Sequence, residues 1–219
     1  GDKWVLMRIS HENGCRYYVG DWKDEQFHPE IHERMSWVDN TFFAPESMAD
    51  PNGRRLMWAW IFDQRDKESE AAAGWSGVFS IPRELWLRDD LRLGMRPIEE
   101  LKSLRYNERS LESRTLRAGE TVDLMSAPEN GFELEATFEA GTASAFGLKV
   151  CCAHGNGGEE TVVGYDRETG ELFVDTTRSS AREMGPKVRE AGPFALAPSE
   201  SLMLRVFVDR SVVEVFANE

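Results

Sequence analysis

Cysteine is scarce in this chain: Cys15, Cys151 and Cys152 are the 3 among 219 residues. Three cannot all pair with one another and the last two are neighbours, so no disulfide framework is implied. Zinc is not implied either. No second Cys/His pair lies within ligand spacing, His11, His28, His32 and His154 are scattered, and no third ligand follows His28 and His32. We read the cysteines as small buried residues and expect neither a metal nor a cofactor. Positive charge is the second deficiency. With 26 Lys and Arg against 39 Asp and Glu the formal net charge is -13, and no basic block interrupts it. Nucleic acid and anionic membrane surfaces are therefore poor partners, and the acidity reads as a solvated surface. No signal-peptide pattern is present, and no apolar run approaches the roughly 20 residues that cross a bilayer. Tryptophan is missing from one half only. Trp4, Trp22, Trp37, Trp58, Trp60, Trp75 and Trp86 make up all 7, and none follows. So complete a shift in composition argues for two units.

What is present is a hydrophobic fraction of 41%, enough to supply a core. It is arranged as short segments rich in Val, Trp, Tyr, Phe and Leu, separated by Gly, Asn, Asp and Pro clusters, which predicts an all-β protein. Ten segments read as strands: KWVLMRIS, CRYYVGDW, RRLMWAWIF, GVFSIPRELWL, FELEATFEA, AFGLKVCCA, ETVVGYD, ELFVDTT, LMLRVFVD and SVVEVFA. Leu56 to Phe62 is apolar at odd and even positions alike, which predicts a strand buried on both faces, with Trp58 and Trp60 as core residues. In the second part Phe132, Leu134, Ala136 and Phe138 alternate with Glu133, Glu135, Thr137 and Glu139, the pattern of a strand with one wet face. Two hairpins, one turning at the glycine of YDRETGELFVD and one at Asp209-Arg210-Ser211, complete a picture of two antiparallel sheets packed as a sandwich. The single helical signal is RPIEELKSLR, where Pro97 opens a short helix and Ile98, Leu101 and Leu104 recur every third residue. Arg83 and Glu84 read as a surface pair.

Three stretches, in order, carry more than class: NTFFAPESMADPNGRRLMWAWI, GWSGVFSIPRELWL and LRVFVDRSVVEVFANE. Together they resemble glycoside hydrolase family 32, the β-fructofuranosidases, which include invertases, levanases, inulinases and sucrose-6-phosphate hydrolases. The resemblance implies the last part of a five-bladed β-propeller followed by a β-sandwich. Residues 1–95 would be the C-terminal blades, 96–105 a short helical linker and 106–219 the sandwich. It also implies a retaining hydrolase that releases fructose from sucrose or fructans. Such chemistry needs a nucleophile and a proton donor about 5 to 5.5 Å apart across the glycosidic bond. The family places them in Trp-Met-Asn-Asp-Pro-Asn-Gly and Glu-Cys-Pro motifs, with a third carboxylate in Arg-Asp-Pro. Neither Arg-Asp-Pro nor Glu-Cys-Pro occurs here, so the catalytic carboxylates are expected upstream and this chain alone is expected to be inactive.

ADPNG copies part of the nucleophile motif, but Asp50 lacks the preceding Trp-Met-Asn and lies late in the order of landmarks. Asp-Pro-Asn-Gly is also a turn by its φ preferences, and a turn is the expected role. Sugar contact is expected beside NTFFAP instead, from Trp37, Asp39, Phe43 and Glu46, because an aromatic face stacks on a sugar ring and a carboxylate accepts from its hydroxyls. The bland alternative is that Trp37 and Phe43 are packing residues and Glu46 a solvated acid. Asp39 and Glu46 are seven residues apart, up to about 23 Å in extended chain, and an odd separation sends them to opposite faces of an uninterrupted strand. The expected partner is a fructose-containing saccharide. On the protein side it is another copy of the chain, or a chain that completes the propeller as the other half of a split enzyme. A non-catalytic carbohydrate-binding sandwich is the other reading, and the lack of tryptophan after residue 86 counts against it.

Overall fold

The computed structural model describes residues 3–11, 14–37, 41–126, 131–153, 158–182 and 185–219. Fifteen strands form four antiparallel sheets among them. The first is a meander of β1 (Trp4–Ser10), β2 (Gly14–Lys23) and β3 (Gln26–Arg34). The second has the order β4 (Phe43–Ala49), β5 (Arg55–Ile61), β7 (Arg83–Leu87) and β8 (Leu93–Pro97), with the two-residue β6 (Val78–Phe79) also paired to β5. Cys15, Tyr17 and Val19 alternate along β2 and are all buried. Their face of β2 meets the second sheet, where the Tyr17 hydroxyl accepts from Leu93 N at 3.2 Å.

A 3-10 helix, Glu99–Leu104, follows. The three-residue spacing of Ile98, Leu101 and Leu104 is the period of that tighter helix rather than of an α-helix. Pro97 ends β8, opposite Arg83, instead of opening the helix. Residues 105–126 then run without strand or helix. The second half contains β9 (Phe132–Phe138), β10 (Ala145–Val150), β11 (Thr161–Asp166), β12 (Glu171–Asp175), β13 (Arg189–Pro193), β14 (Leu202–Asp209) and β15 (Val212–Ala217). They make a sheet β10-β11-β12-β13 and a sheet β15-β14-β9. One core joins the two: Leu148, Val150, Val163 and Tyr165 from the first, Leu202, Leu204, Val206 and Val208 from the second. Phe132, Leu134, Ala136 and Phe138 pack on it, as their alternation predicts. The turns also fall as predicted, with Gly170 (φ 67) closing β11–β12 and Arg210 (φ 53) closing β14–β15.

Four expectations are corrected. Only Cys15 is buried; Cys151 and Cys152 lie exposed just past the end of β10. Residues Lys67–Ala73 form an α-helix, α1, whose Asp66 cap accepts from Ser69 N at 2.8 Å and whose C-cap Gly74 is left-handed (φ 77). It buries none of its residues, so no apolar period betrays it. Strand β5 is buried on one face only: Met57 and Ala59 are inside, whereas Trp60 is 40% exposed. Finally, Arg83 and Glu84 do not pair. Neighbours on a strand point to opposite faces, so Glu84 meets Arg96 across β8 while Arg83 turns inward to Glu214 of β15.

Candidate functional site

Asp50 sits at the mouth of the β4–β5 hairpin. Its backbone exchanges hydrogen bonds around the loop, donating to Arg54 O at 2.9 Å and accepting from Gly53 N at 3.0 Å. Gly53 supplies the positive φ of 82° that closes the turn. The Asp50 carboxylate is spent in the same loop: Oδ1 accepts from Asn52 N (2.9 Å) and Arg54 N (2.8 Å), and Oδ2 from Arg54 Nε (2.8 Å). Burial pushes its pKa upward, but these hydrogen bonds, Arg54's foremost, outweigh it and hold the carboxyl below the usual range. Asp50 is a turn residue, as the φ preferences of its neighbours predict.

The strand leading into that turn carries a bulge. Phe43 lies opposite Trp60 and Glu46 opposite Trp58, three residues of β4 spanning two of β5. Ala44, at φ 45, takes up the extra residue. Residues directly opposite in an antiparallel pair share a face. The bulge therefore puts Phe43 and Glu46 on one face, together with Trp58 and Trp60, although an unbroken strand would have parted them. Phe43 is buried among rings, 5.2 Å from His11 and 4.7 Å from Phe62. Trp60 stands edge-on to Phe62 at 4.4 Å, and its indole is seated against Gly77, where a Cβ would come within 1.8 Å of Nε1. Glu46 is exposed beside them.

Trp37 is placed elsewhere. Its indole lies over Gly192 of β13 and its backbone N–H donates to Glu190 Oε1 at 3.0 Å, so it joins the first half to the second. Asp39 lies outside the described residues. The structure thus unites Phe43 and Glu46, adds Trp58 and Trp60, and sends Trp37 to the sandwich. The hint that Trp58 and Trp60 belong to this face was their i, i+2 spacing; which face received Glu46 depended on the bulge. Among the described residues no group of three His, Cys, Asp or Glu is placed to hold a metal ion. A half-exposed aromatic face with one carboxylate is chemically suited to sugar stacking and hydroxyl recognition.

Residues 3–97 match the N-terminal domain of glycosyl hydrolases family 32, and residues 100–219 match that family's C-terminal domain. The chain belongs to glycosyl hydrolase family 32. This family 32 chain is 31% identical to a levanase of Bacillus subtilis over 99% of its own length and 34% of that protein's. It is 32% identical to fructan 1-exohydrolase w3 of Triticum aestivum, over 96% of the chain and 43% of the relative. Among solved structures, exo-inulinase of Aspergillus awamori superposes with a TM-score of 0.77 at 22% identity, covering 99% of the chain and 46% of the enzyme. Fructan 1-exohydrolase IIa of Cichorium intybus, solved in complex with 1-kestose, gives 0.77 at 20% identity, over 98% and 48%. The four sheets are accordingly the last part of a five-bladed propeller and a β-sandwich. The family 32 chain spans less than half the length of these relatives.

Charge pairing gives this family 32 chain a defined response to acid. Lys23 and Lys3 hold Asp21 down to about 2. Arg65 lowers Asp63. Glu133 is raised by burial, yet Arg105 and Arg205 overcome this and lower it, as Arg54 does for Asp50. A carboxyl whose pKa is lower in the folded than in the unfolded chain stabilises the fold only while ionised. Its contribution is complete above about pH 4 and disappears as the pH falls through the folded value. The urea midpoint is expected to hold between about pH 7 and 5 and to fall between about pH 4 and 2. A midpoint that is level down to the acid end of a urea titration series would contradict this assignment.

Proposed function

We propose that this chain is the C-terminal portion of a retaining glycoside hydrolase that releases fructose from sucrose or fructans, its catalytic carboxylates lying outside residues 1–219. In that enzyme an aspartate forms the covalent fructosyl intermediate and a glutamic acid protonates the leaving oxygen. The observation that carries the reading is the match to both family domains in a chain whose one motif-like aspartate, Asp50, is consumed by a turn. We place the C-terminal blades in residues 1–95, a linker in 96–105 and the sandwich in 106–219. Asp39, Phe43 and Glu46 form the edge of the sugar pocket in this reading, with Trp58 and Trp60 beside Glu46 and Phe43 on the neighbouring strand, while Trp37, seated on Gly192, is left out of it. The 1-kestose bound to the Cichorium enzyme exemplifies the saccharide class.

The test is fructose release from sucrose and inulin by the 219-residue chain and by Asp50→Asn. Neither protein is expected to release fructose. Release by the unaltered chain that vanishes in Asp50→Asn would make Asp50 a nucleophile and overturn the proposal.

A further inference from the structure

The connection from β10 to β11 carries two adjacent thiols that the hydrolase reading does not use. Cys151 and Cys152 follow the end of β10, and both are exposed. In its sheet β10 is the edge strand opposite β13, so the pair stands at the far side from the strand on which Trp37 is seated. In an unbroken strand neighbouring side chains point to opposite faces. Cys151 breaks the strand: its φ of 53° is left-handed, a region that residues other than glycine seldom enter. Hydrogen bonds fix the chain just beyond it. Cys152 Sγ donates to Val150 O at 3.8 Å, and Ala153 N donates to Glu159 O at 2.9 Å, which closes the mouth of the hairpin. Loss of water around the sulfur, then the neighbouring thiol, pushes the Cys151 thiol up. Loss of water, with Glu160 and Asp123 against Lys149, pushes Cys152 up. Both are therefore thiols rather than thiolates at neutral pH, which makes them slow nucleophiles toward peroxides.

We propose that Cys151 and Cys152 form a dithiol site for trivalent arsenic, the two sulfurs holding one atom between them. Two other uses of such a pair fit less well. A disulfide between neighbours would close over Cα atoms about 3.8 Å apart, nearer than the roughly 4.4 to 6.8 Å of relaxed disulfides. It would be strained and readily reduced. An intervening atom lengthens the bridge and relieves that strain. Structural zinc asks for a closed tetrahedral shell, and among the described residues no group of three His, Cys, Asp or Glu is placed to hold a metal ion. Arsenous acid takes two thiols without any change in oxidation state. Two S–H and two As–OH bonds break, two As–S bonds form, and the protons leave on the hydroxyls as two waters, with the third hydroxyl still on arsenic. The condensation consumes neutral thiols, the form in which both cysteines are held. Cys15, buried in β2, takes no part. The site stands apart from the hydrolase reading, since fructose release and arsenical binding are separate measurements.

Native mass spectrometry of the reduced 219-residue chain with phenylarsine oxide, whose arsenic condenses with two thiols in the same way, tests it. One adduct per chain is expected, formed with loss of one water, mapping to residues 151–152, reversed by dimercaptopropanol and resistant to glutathione at the same concentration. The second As–S bond forms within the molecule, at high effective concentration, so Cys151→Ser and Cys152→Ser should each weaken binding about a hundredfold or more. Both substitutions fall at exposed positions, and circular dichroism verifies that the variants fold. Absence of an adduct, an adduct retained by either folded variant, or one that maps to Cys15 would overturn the site. Hydrogen peroxide converting the pair to an internal disulfide faster than the arsenical captures it, at equal concentrations, would overturn the arsenic assignment in favour of a redox switch.

Discussion

Glu214→Ala is expected to destabilise the chain by about 3–5 kcal/mol, because it strands a buried cation. Arg83 reaches from β7 into the sandwich, where Nη2 pairs with Glu214 Oε2 of β15 and the guanidinium lies between the rings of Phe42 (4.6 Å) and Phe216 (4.9 Å). Glu214 Oε1 accepts from Ile81 N at 2.7 Å. Burial pushes the Glu214 carboxyl upward and the Arg83 guanidinium downward, so neither charge is comfortable without the other. Removing the carboxylate loses the ion pair and the acceptor for Ile81 N. For a chain of this size that corresponds to a fall in thermal midpoint on the order of 10 °C. Arg96→Ala is the control. It breaks the Arg96–Glu84 pair, where Arg96 is 46% exposed, and should cost less than about 1 kcal/mol. The double variant Arg83→Met with Glu214→Leu should recover most of the loss, since apolar replacement of a buried pair is often neutral. Denaturation of the four proteins checks this; a Glu214→Ala cost no greater than that of Arg96→Ala would refute it.

That contact was invisible in the sequence. Glu84 lies beside Arg83 and advertises a local pair, whereas the true partner is 131 residues away. The strands missed by pattern reading share a physical cause. β3, β4, β8 and β13 each stand at the edge of a sheet, and each carries a proline: Pro29, Pro45, Pro97 and Pro193. Proline cannot donate to a ladder, so it demotes a run of residues as a strand candidate, yet it is tolerated where one side of the strand is unpaired. Interior strands such as β2, β5, β11 and β14 were legible because both neighbours demand apolar, β-branched or aromatic residues there. The candidate site was half legible for a related reason. Phe43 and Glu46 stood out by type, but the positive φ of Ala44, which brings them to one face, leaves no mark in a residue that is not glycine.

Leu204→Ala should produce the second large effect, about 2–5 kcal/mol. Leu204 is fully buried on β14, the middle strand between β15 and β9, and belongs to the core shared with Val163 and Tyr165 of the facing sheet. A central strand flanked on both sides has little room to collapse into the space left by the lost methyls, which favours the costly end of that range. Leu111→Ala, at a residue 56% exposed, should stay within about 0.5 kcal/mol of the parent. The tryptophans make the measurement more informative. All 7 lie at or before Trp86, so their fluorescence reports the first half, while far-ultraviolet circular dichroism reports all four sheets. Trp37 over Gly192 and Arg83 against Glu214 tie the halves together. Leu204→Ala should therefore lower the midpoint seen by both probes equally. In Glu214→Ala, with one tie cut, the fluorescence and dichroism midpoints should separate. A Leu204→Ala shift confined to dichroism would mean that the sandwich unfolds independently of the blades, and that the Arg83–Glu214 contact couples nothing.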